Sequence, residues 1–170
     1  MLLNNWDSST GLVRDRANFA SGEFDAIQAT GSLATATILS EQLGIIGRND
    51  AILIVTRIGD TLLNDVPRCH GLWPHFVKVS NGAVDIVENT EWSTVDTIIA
   101  AIGLLDAQNA LGLDTDATTL MIDDIDWVDL TTPNGISHGY NYECTEALDS
   151  AWDIFGGESW LIELAHASST

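Results

Sequence analysis

The sequence predicts an all-α domain made of antiparallel helical hairpins. Apolar residues recur at alternating steps of three and four in five segments, which is the spacing of one face of an α-helix. Short turns follow the first and third segments, whereas long connections follow the second and fourth. Because a short turn makes two helices run antiparallel, the odd-numbered helices share one direction. Both long connections should then lie on the rim where the odd helices begin.

The first two helices are predicted from their apolar faces and their end signals. The first covers about residues 23–43, and Gly44 ends it. The second opens on Asn49 as an N-cap and continues to about Leu62. Only a short turn separates them, so they form the first hairpin.

The last three helices follow the same logic. Ser93 and Asp96 approximate a capping box at the start of the third helix, which ends at Gly112. The fourth runs through residues 121–130, and the fifth begins near Gly157 and reaches the chain end. The five helices make two and a half hairpin units.

Composition limits the class of protein. The 170 residues are 45% hydrophobic, which predicts one globular domain over residues 1–170. No apolar run is long enough to span a membrane, and "MLLNNWDSS" turns polar too early for a signal peptide, although that does not settle the compartment. The 25 acidic residues against 6 basic ones exclude nucleic acid and anionic membranes as partners.

The net charge of −19 has two interpretations. Adaptation to high salt predicts a melting temperature that rises steeply with salt, because screening removes self-repulsion. An ordinary acidic protein predicts a flat response.

Three carboxylates fall in the predicted first turns of odd helices, and should therefore point at one rim: Asp25, Asp96 and Glu158. Acids at these positions also complement the helix dipole without any other role.

The long connections are rich in aromatic residues and histidines, which disordered segments avoid. Trp73, His75 and Trp92 lie in the first connection, and His138 and Tyr140 in the second. Aromatic rings suit the apolar faces of sugars, and imidazoles donate hydrogen bonds to hydroxyls; structural roles are the alternative. The other late tryptophans are predicted core residues: Trp127, Trp152 and Trp160.

The two cysteines, Cys69 and Cys144, are too few for a disulfide scaffold. Free, partly buried thiols are the favoured interpretation, and a single disulfide is the alternative. The stretch "CHGLWPH" lacks a fourth ligand, so no metal site and no cofactor are predicted.

Six ordered motifs give a family resemblance. They are "TGLVRDRANF" (10–19), "ATGSLATA" (29–36), "GLWPHF" (71–76), "TEWSTVDTIIAAIGLLDAQ" (90–108), "ISHGY" (136–140) and "FGGESWLIELA" (155–165). The sequence resembles the glucoamylase-like hydrolases, whose relatives include endo-β-1,2-glucanases built on an (α/α)6 toroid. The resemblance implies a domain that is about half of such a toroid.

The resemblance also implies functional residues. Glu158 matches the glutamate proposed as the family's general acid. Asp96 matches the acidic residue of the family's "STVDT"-like motif and is the other candidate catalytic residue, while the family's catalytic base would be expected beyond residue 170. Arg14, Asp15 and Arg16 match a motif that would hold sugar hydroxyls or neighbouring acids, or simply pair with one another. The expected partner is an oligo- or polysaccharide, and the expected activity is hydrolysis of a β-glucan.

The chain matches only the first half of the family's length. It is therefore expected to be a piece of a longer protein, a half that completes itself as a homo-oligomer, or a glycan-binding protein without hydrolytic activity. The resemblance further suggests a periplasmic or secreted location.

Overall fold

The residues that the structure describes form six helices and eight short strands. A computed structural model describes residues 5–15, 24–152 and 159–168. The helices are α1 (Ile27–Gln42), α2 (Arg48–Asp60), α3 (Thr94–Leu111), α4 (Asp116–Asp123), α5 (Trp127–Leu130) and α6 (Ser159–Ser168), and a π-helical turn over Thr61–Asp65 extends α2. The strands are β1 (Asp25–Ala26), β2 (Phe76–Ser80), β3 (Ala83–Ile86), β4 (Trp92–Ser93), β5 (Thr131–Thr132), β6 (Gly135–Ser137), β7 (Gly139–Tyr140) and β8 (Ala151–Trp152).

The prediction of an all-α half-toroid is wrong. The strands form three small antiparallel sheets, in the orders β1-β2-β3, β4-β7 and β5-β6-β8. Apart from β1, which precedes α1, the strands come from the long connections that were predicted to be loops. The chain is therefore an α+β protein.

The β2–β3 hairpin explains part of the error. Asn81 and Gly82 both adopt positive φ angles, 53° and 80°, as a two-residue hairpin turn of type I′ requires. Val77 pairs with Ile86 and Val79 with Val84, so apolar residues alternate on both strands. An Asn-Gly pair between alternating apolar residues is a strong hairpin signal, and it was present in the sequence.

The predicted and observed helix ends agree best for α3. Ser93 is the N-cap, and its hydroxyl accepts a hydrogen bond from the backbone N–H of Asp96. Gly112 ends the helix at φ 70°, in the left-handed region that favours glycine. By contrast, α2 begins one residue before Asn49, with Gly47 as N-cap. The predicted fourth helix is two short helices, α4 and α5.

Two helices cross so closely that their backbones touch. A Cβ atom added to Gly31 of α1 would lie 2.2 Å from the Cα atom of Ala100 in α3. One added to Gly103 would lie 2.5 Å from the carbonyl oxygen of Gly31. Glycine at both positions therefore brings the two helices into direct contact.

The apolar interior falls into two clusters. The first lies between α1, α2 and α3, and includes Ile27, Val55 and Leu104. The second joins the far side of α3 to the loops and to α6, and includes Ile98 and Ile162. In the part of the chain that the structure describes, no helix is both long and apolar enough to cross a membrane.

A disulfide bond joins Cys69 to Cys144, across a sequence separation of 75 residues. The favoured prediction of free thiols was therefore wrong. Cys69 is buried, and it lies in a tight turn closed by its paired hydrogen bonds with Leu72. The bond fastens the turn before β2 to the loop after β7.

Large apolar side chains remain exposed on several helices. Leu39 of α1 and Leu164 of α6 are each 55% exposed. Leu43 and Ile45, in the turn after α1, are more exposed still, at 75% and 68%. Association into a homo-oligomer would cover such surfaces; it stays a prediction.

Candidate active site

A pocket of about 250 Å³ lies where the long connections meet the first turns of α1 and α3. Its walls come from both connections and both helices. The lining residues are Gln28, His75, Glu91, Ser93, Val95, Asp96, His138 and Trp152. The rim that the sequence predicted therefore brings together His75, Asp96 and His138.

Backbone pairing holds the first connection against α1 and α3. The backbone N–H of His75 donates to the carbonyl of Glu91, and Ser93 donates in the same way to Trp73. The N–H of Ile27, the first residue of α1, donates to the carbonyl of His75. His75 is thus fixed between the start of one helix and the segment that leads into the other.

Asp96 is fixed at the floor of the pocket. It lies in the first turn of α3 and is 2% exposed. Its Oδ2 atom accepts a short hydrogen bond from the Ser93 hydroxyl, and the Ser93 oxygen in turn accepts from the Asp96 backbone N–H. This double contact fixes the orientation of the carboxylate.

His75 lies between two carboxylates. Its Nδ1 atom is 2.9 Å from Oε1 of Glu91 and 3.6 Å from Oδ2 of Asp96. Burial disfavours the charged imidazole, but the hydrogen bond to Glu91 and the charges of Asp96, Glu91 and Asp15 outweigh it, so the pKa of His75 is raised. In return, the hydrogen bond from His75 lowers the pKa of Glu91, against the effect of its burial.

His138 enters the pocket from the second connection. Its carbonyl accepts hydrogen bonds from the backbone N–H and the hydroxyl of Thr94, the first residue of α3. Its ring stacks on Trp152 at a centroid distance of 4.1 Å. The second connection is therefore attached directly to the start of the helix that carries Asp96.

Three predicted aromatic binding residues are buried instead of lining the rim. Trp73 is 0% exposed, Tyr140 1% and Trp92 7%. The Trp92 indole N–H donates to the carbonyl of Tyr142, and the Tyr140 hydroxyl donates to Asp129. Burial and that hydrogen bond raise the pKa of Tyr140. These rings pack inside the domain and have no face free to stack on a sugar.

Of the remaining charged residues that were predicted as site residues, those that the structure describes do not line the pocket. Asp25 lies in β1, before α1, rather than in the first turn of the helix. It is nearly buried, and burial raises its pKa although Arg14 opposes that shift. Asp15 contributes to the field at His75. Arg16 and Glu158 lie outside the described residues.

Five residues of the pocket lining were not predicted as site residues: Gln28, Glu91, Ser93, Val95 and Trp152. Glu91 is the most polar of them, and its proximity to Asp96 in the sequence was the available signal. Trp152 was predicted to be a core residue, but it is only half-buried and lines the pocket. Gln28 lies in the first turn of α1, one helical turn before a buried Gly31.

A larger and more open pocket of about 580 Å³ is formed by α5, α6 and the residues before α5. Its wall is mainly apolar and includes Trp127 and Val128, and its acids are Asp123 and Asp126. His166 also lines it, and Oδ2 of Asp126 lies 3.8 Å from Nδ1 of His70. The smaller pocket is the better candidate for chemistry because it brings together His75, Asp96 and His138, which the sequence predicted as site residues.

One group of side chains in the described residues has metal-ligand character. Cys69, Cys144 and His70 have ligand atoms within 4.8 Å of one another. The sulfur atoms are joined in the disulfide, so no thiolate is available there.

The fold is similar to part of the fold of solved glucanases and glucoamylase-like proteins. The chain is similar to an endo-β-1,2-glucanase from Chitinophaga pinensis, solved with sophorotriose and glucose, with a TM-score of 0.73 and 16% identity. That match covers 99% of this chain and 44% of the glucanase. Neither a protein-family model nor a curated protein sequence matches the chain.

Two further structures agree. A candidate glucoamylase from Bacteroides caccae gives a TM-score of 0.73 at 17% identity, over 99% of this chain and 44% of that one. A β-1,2-glucanase from Parabacteroides distasonis gives 0.64 at 17% identity, over 92% and 24%. The chain thus spans less than half the length of these proteins, and identities this low establish the fold alone.

Proposed function

We propose that this chain supplies part of the active site of a glycoside hydrolase that acts on β-linked glucans. Two independent observations support the proposal: the fold similarity to proteins described as β-1,2-glucanases, and a pocket that pairs carboxylates with histidines. The pocket volume of about 250 Å³ fits one small polar unit such as a sugar ring. The pocket is the observation that carries the chemistry.

The two carboxylates of the pocket have different roles in this proposal. The Glu91 side chain is 40% exposed, whereas that of Asp96 is 3% exposed. Asp96 is engaged by Ser93 and faces His75, so it acts as a positioning residue. Glu91 is the carboxylate that water and substrate can reach.

Glu91 has the charge state that a general base needs. The hydrogen bond from His75 lowers its pKa, so the carboxylate is ionised at neutral pH. In hydrolysis it would take a proton from a water molecule whose oxygen attacks the anomeric carbon. His75 would hold Glu91 in place through its Nδ1 atom.

The leaving oxygen needs a proton donor. Glu158 is proposed for that role because its motif resembles the one that carries the family's general acid, and not because of its surroundings. A carboxyl in this role must keep its proton near neutral pH, which requires burial or a nearby negative charge to raise its pKa.

The test is release of reducing sugar from linear β-1,2-glucan, with β-1,3-, β-1,4- and β-1,6-glucans in parallel. Glu91→Gln removes the base and should lower the rate by about 10²- to 10⁴-fold. Glu158→Gln should lose cleavage and keep glycan binding. Glu88→Gln is the matched control, because Glu88 is an exposed acid three residues from Glu91 and outside the pocket lining.

The outcomes separate catalysis from binding. Unchanged cleavage in Glu91→Gln removes Glu91 from the mechanism. Glycan binding by the wild-type chain without release of sugar from any of the four glucans favours a non-catalytic glycan-binding protein. Absence of both binding and cleavage refutes the proposal.

A further inference from the structure

The half-buried indole of Trp152 is part of the pocket wall. Trp152 lies on β8, and it lines the same pocket as Glu91 and Asp96. Of the tryptophans whose side chains the structure describes, it alone lines this pocket. A sugar ring has apolar C–H faces and polar hydroxyl edges. An aromatic surface beside carboxylates therefore complements a sugar ring.

The indole is held on two sides. Its Nε1 atom donates a 3.0 Å hydrogen bond to the hydroxyl oxygen of Thr94. Its backbone pairs with Ile136 of β6. Thr94 also starts α3, two residues before Asp96, so the plane of the indole is fixed relative to that carboxylate.

His138 completes the wall. Its ring stacks on Trp152 with centroids 4.1 Å apart and an angle of 29° between the planes. Thr94 contacts both residues, because its hydroxyl accepts from the indole and donates to the carbonyls of Ser137 and His138. The two rings therefore form one preorganised unit, which limits the entropy lost when a ligand binds.

We propose that Trp152, supported by His138 and oriented by Thr94, is the platform on which a glucosyl ring stacks beside Glu91. This inference rests on the proposed function and assigns the sugar-binding surface within it. The platform would set the affinity and the orientation of the glycan, while the carboxylates would act on the bond. Trp152 is a binding residue in this account and takes no part in proton transfer.

The test uses the full chain and β-1,2-linked glucose oligomers, with binding followed by calorimetry and by tryptophan fluorescence. Trp152→Ala should weaken binding at least about tenfold, because the aromatic surface is lost. Trp152→Phe keeps a ring and should bind within about threefold of the wild type. The fluorescence change that glycan causes in the wild type should disappear in Trp152→Phe, although calorimetry still detects binding.

Two controls make the result specific. Trp6→Phe changes another half-buried tryptophan, one that packs on the first core cluster away from the pocket, and should leave both readouts unchanged. Thr94→Val removes the acceptor for the indole N–H at nearly constant shape, and should weaken binding less than Trp152→Ala does. Melting temperatures of all variants report whether the fold is intact.

Each outcome decides the question. Equal affinity in the wild type and Trp152→Ala overturns the platform and leaves the proposed function standing. The same is true if Trp152→Phe retains the full fluorescence change. If Trp152→Ala does not fold, Trp152→Phe and its fluorescence decide. A wild-type chain that binds no glucan overturns both the platform and the proposed function.

Discussion

Removing the disulfide should lower stability while leaving the native structure in place. The Cys69–Cys144 bond closes a loop of 75 residues, within which His75, Glu91, Asp96 and His138 all fall. In the chain-entropy description, the bond stabilises the fold by restricting the unfolded chain, with a magnitude set by loop length. For this loop the effect is about 4.5 kcal/mol at 25 °C.

The native state should tolerate the loss because other contacts hold the same loop. The backbone N–H of Asn141 donates to the carbonyl of Glu146, and the Asn141 side chain accepts from Thr145. The Trp92 indole also donates to the carbonyl of Tyr142. The pocket therefore keeps its geometry below the unfolding transition.

The assay is urea unfolding of the wild type, with and without a reducing agent, beside the Cys69→Ser, Cys144→Ser double variant. With a slope of about 2 kcal/mol per molar urea, a loss of about 4.5 kcal/mol moves the midpoint down by roughly 2 M. The reduced wild type and the double variant should agree. Coincident midpoints for oxidised and reduced protein would refute the reasoning, and so would a native spectrum that changes on reduction before unfolding.

Three further results are expected. Gly31→Ala should destabilise the domain by about 1–3 kcal/mol or more, because the new methyl group meets the backbone of α3. Ser32→Ala, at the neighbouring exposed position, should leave the melting temperature nearly unchanged. Trp73→Ala should cost about 3–5 kcal/mol in chemical unfolding, because the ring is fully buried; a small loss would return this residue to the sugar-binding surface. The His75–Glu91 pair should stabilise the fold most between about pH 4.5 and 6.5. The raised pKa of His75 contributes stability that is lost as the pH rises through that pKa. The lowered pKa of Glu91 contributes stability that is lost as the pH falls through that pKa. The difference in melting temperature between the wild type and Glu91→Gln should then be largest near pH 5.5 and shrink towards pH 8, and a difference independent of pH would contradict the pairing.

Local signals in the sequence predicted the helices better than they predicted what lies between them. Ser93 and Gly112 mark the ends of α3 because capping is decided by the residues at the ends themselves. The β2–β3 hairpin had an equally local signal in Asn81 and Gly82. It was missed because the whole connection was interpreted as a loop that walls a binding site, on the strength of Trp73 and His75 before the hairpin and Trp92 after it.

The sequence predicted which segments meet at the site, but not which of their side chains line the pocket and which are buried. The chain order of helices and connections was enough to bring His75, Asp96 and His138 together. Exposure, in contrast, depends on tertiary packing, so nothing in the sequence distinguished the buried Trp73 from the pocket residue Trp152. The cysteine pairing had the same limit, because two cysteines 75 residues apart carry no local sign of contact.

The contact between Gly31 and Gly103 has a consequence for how this pocket can change. At this crossing no side chain separates α1 from α3, so the two helices cannot slide or rotate past one another there without a clash of main-chain atoms. Gln28 and Asp96, at the starts of these helices, are therefore held at a constant spacing. A protein engineer who wishes to alter which ligand fits should leave that crossing untouched and vary the connections at 73–92 and 135–152, where the pocket gains its remaining walls.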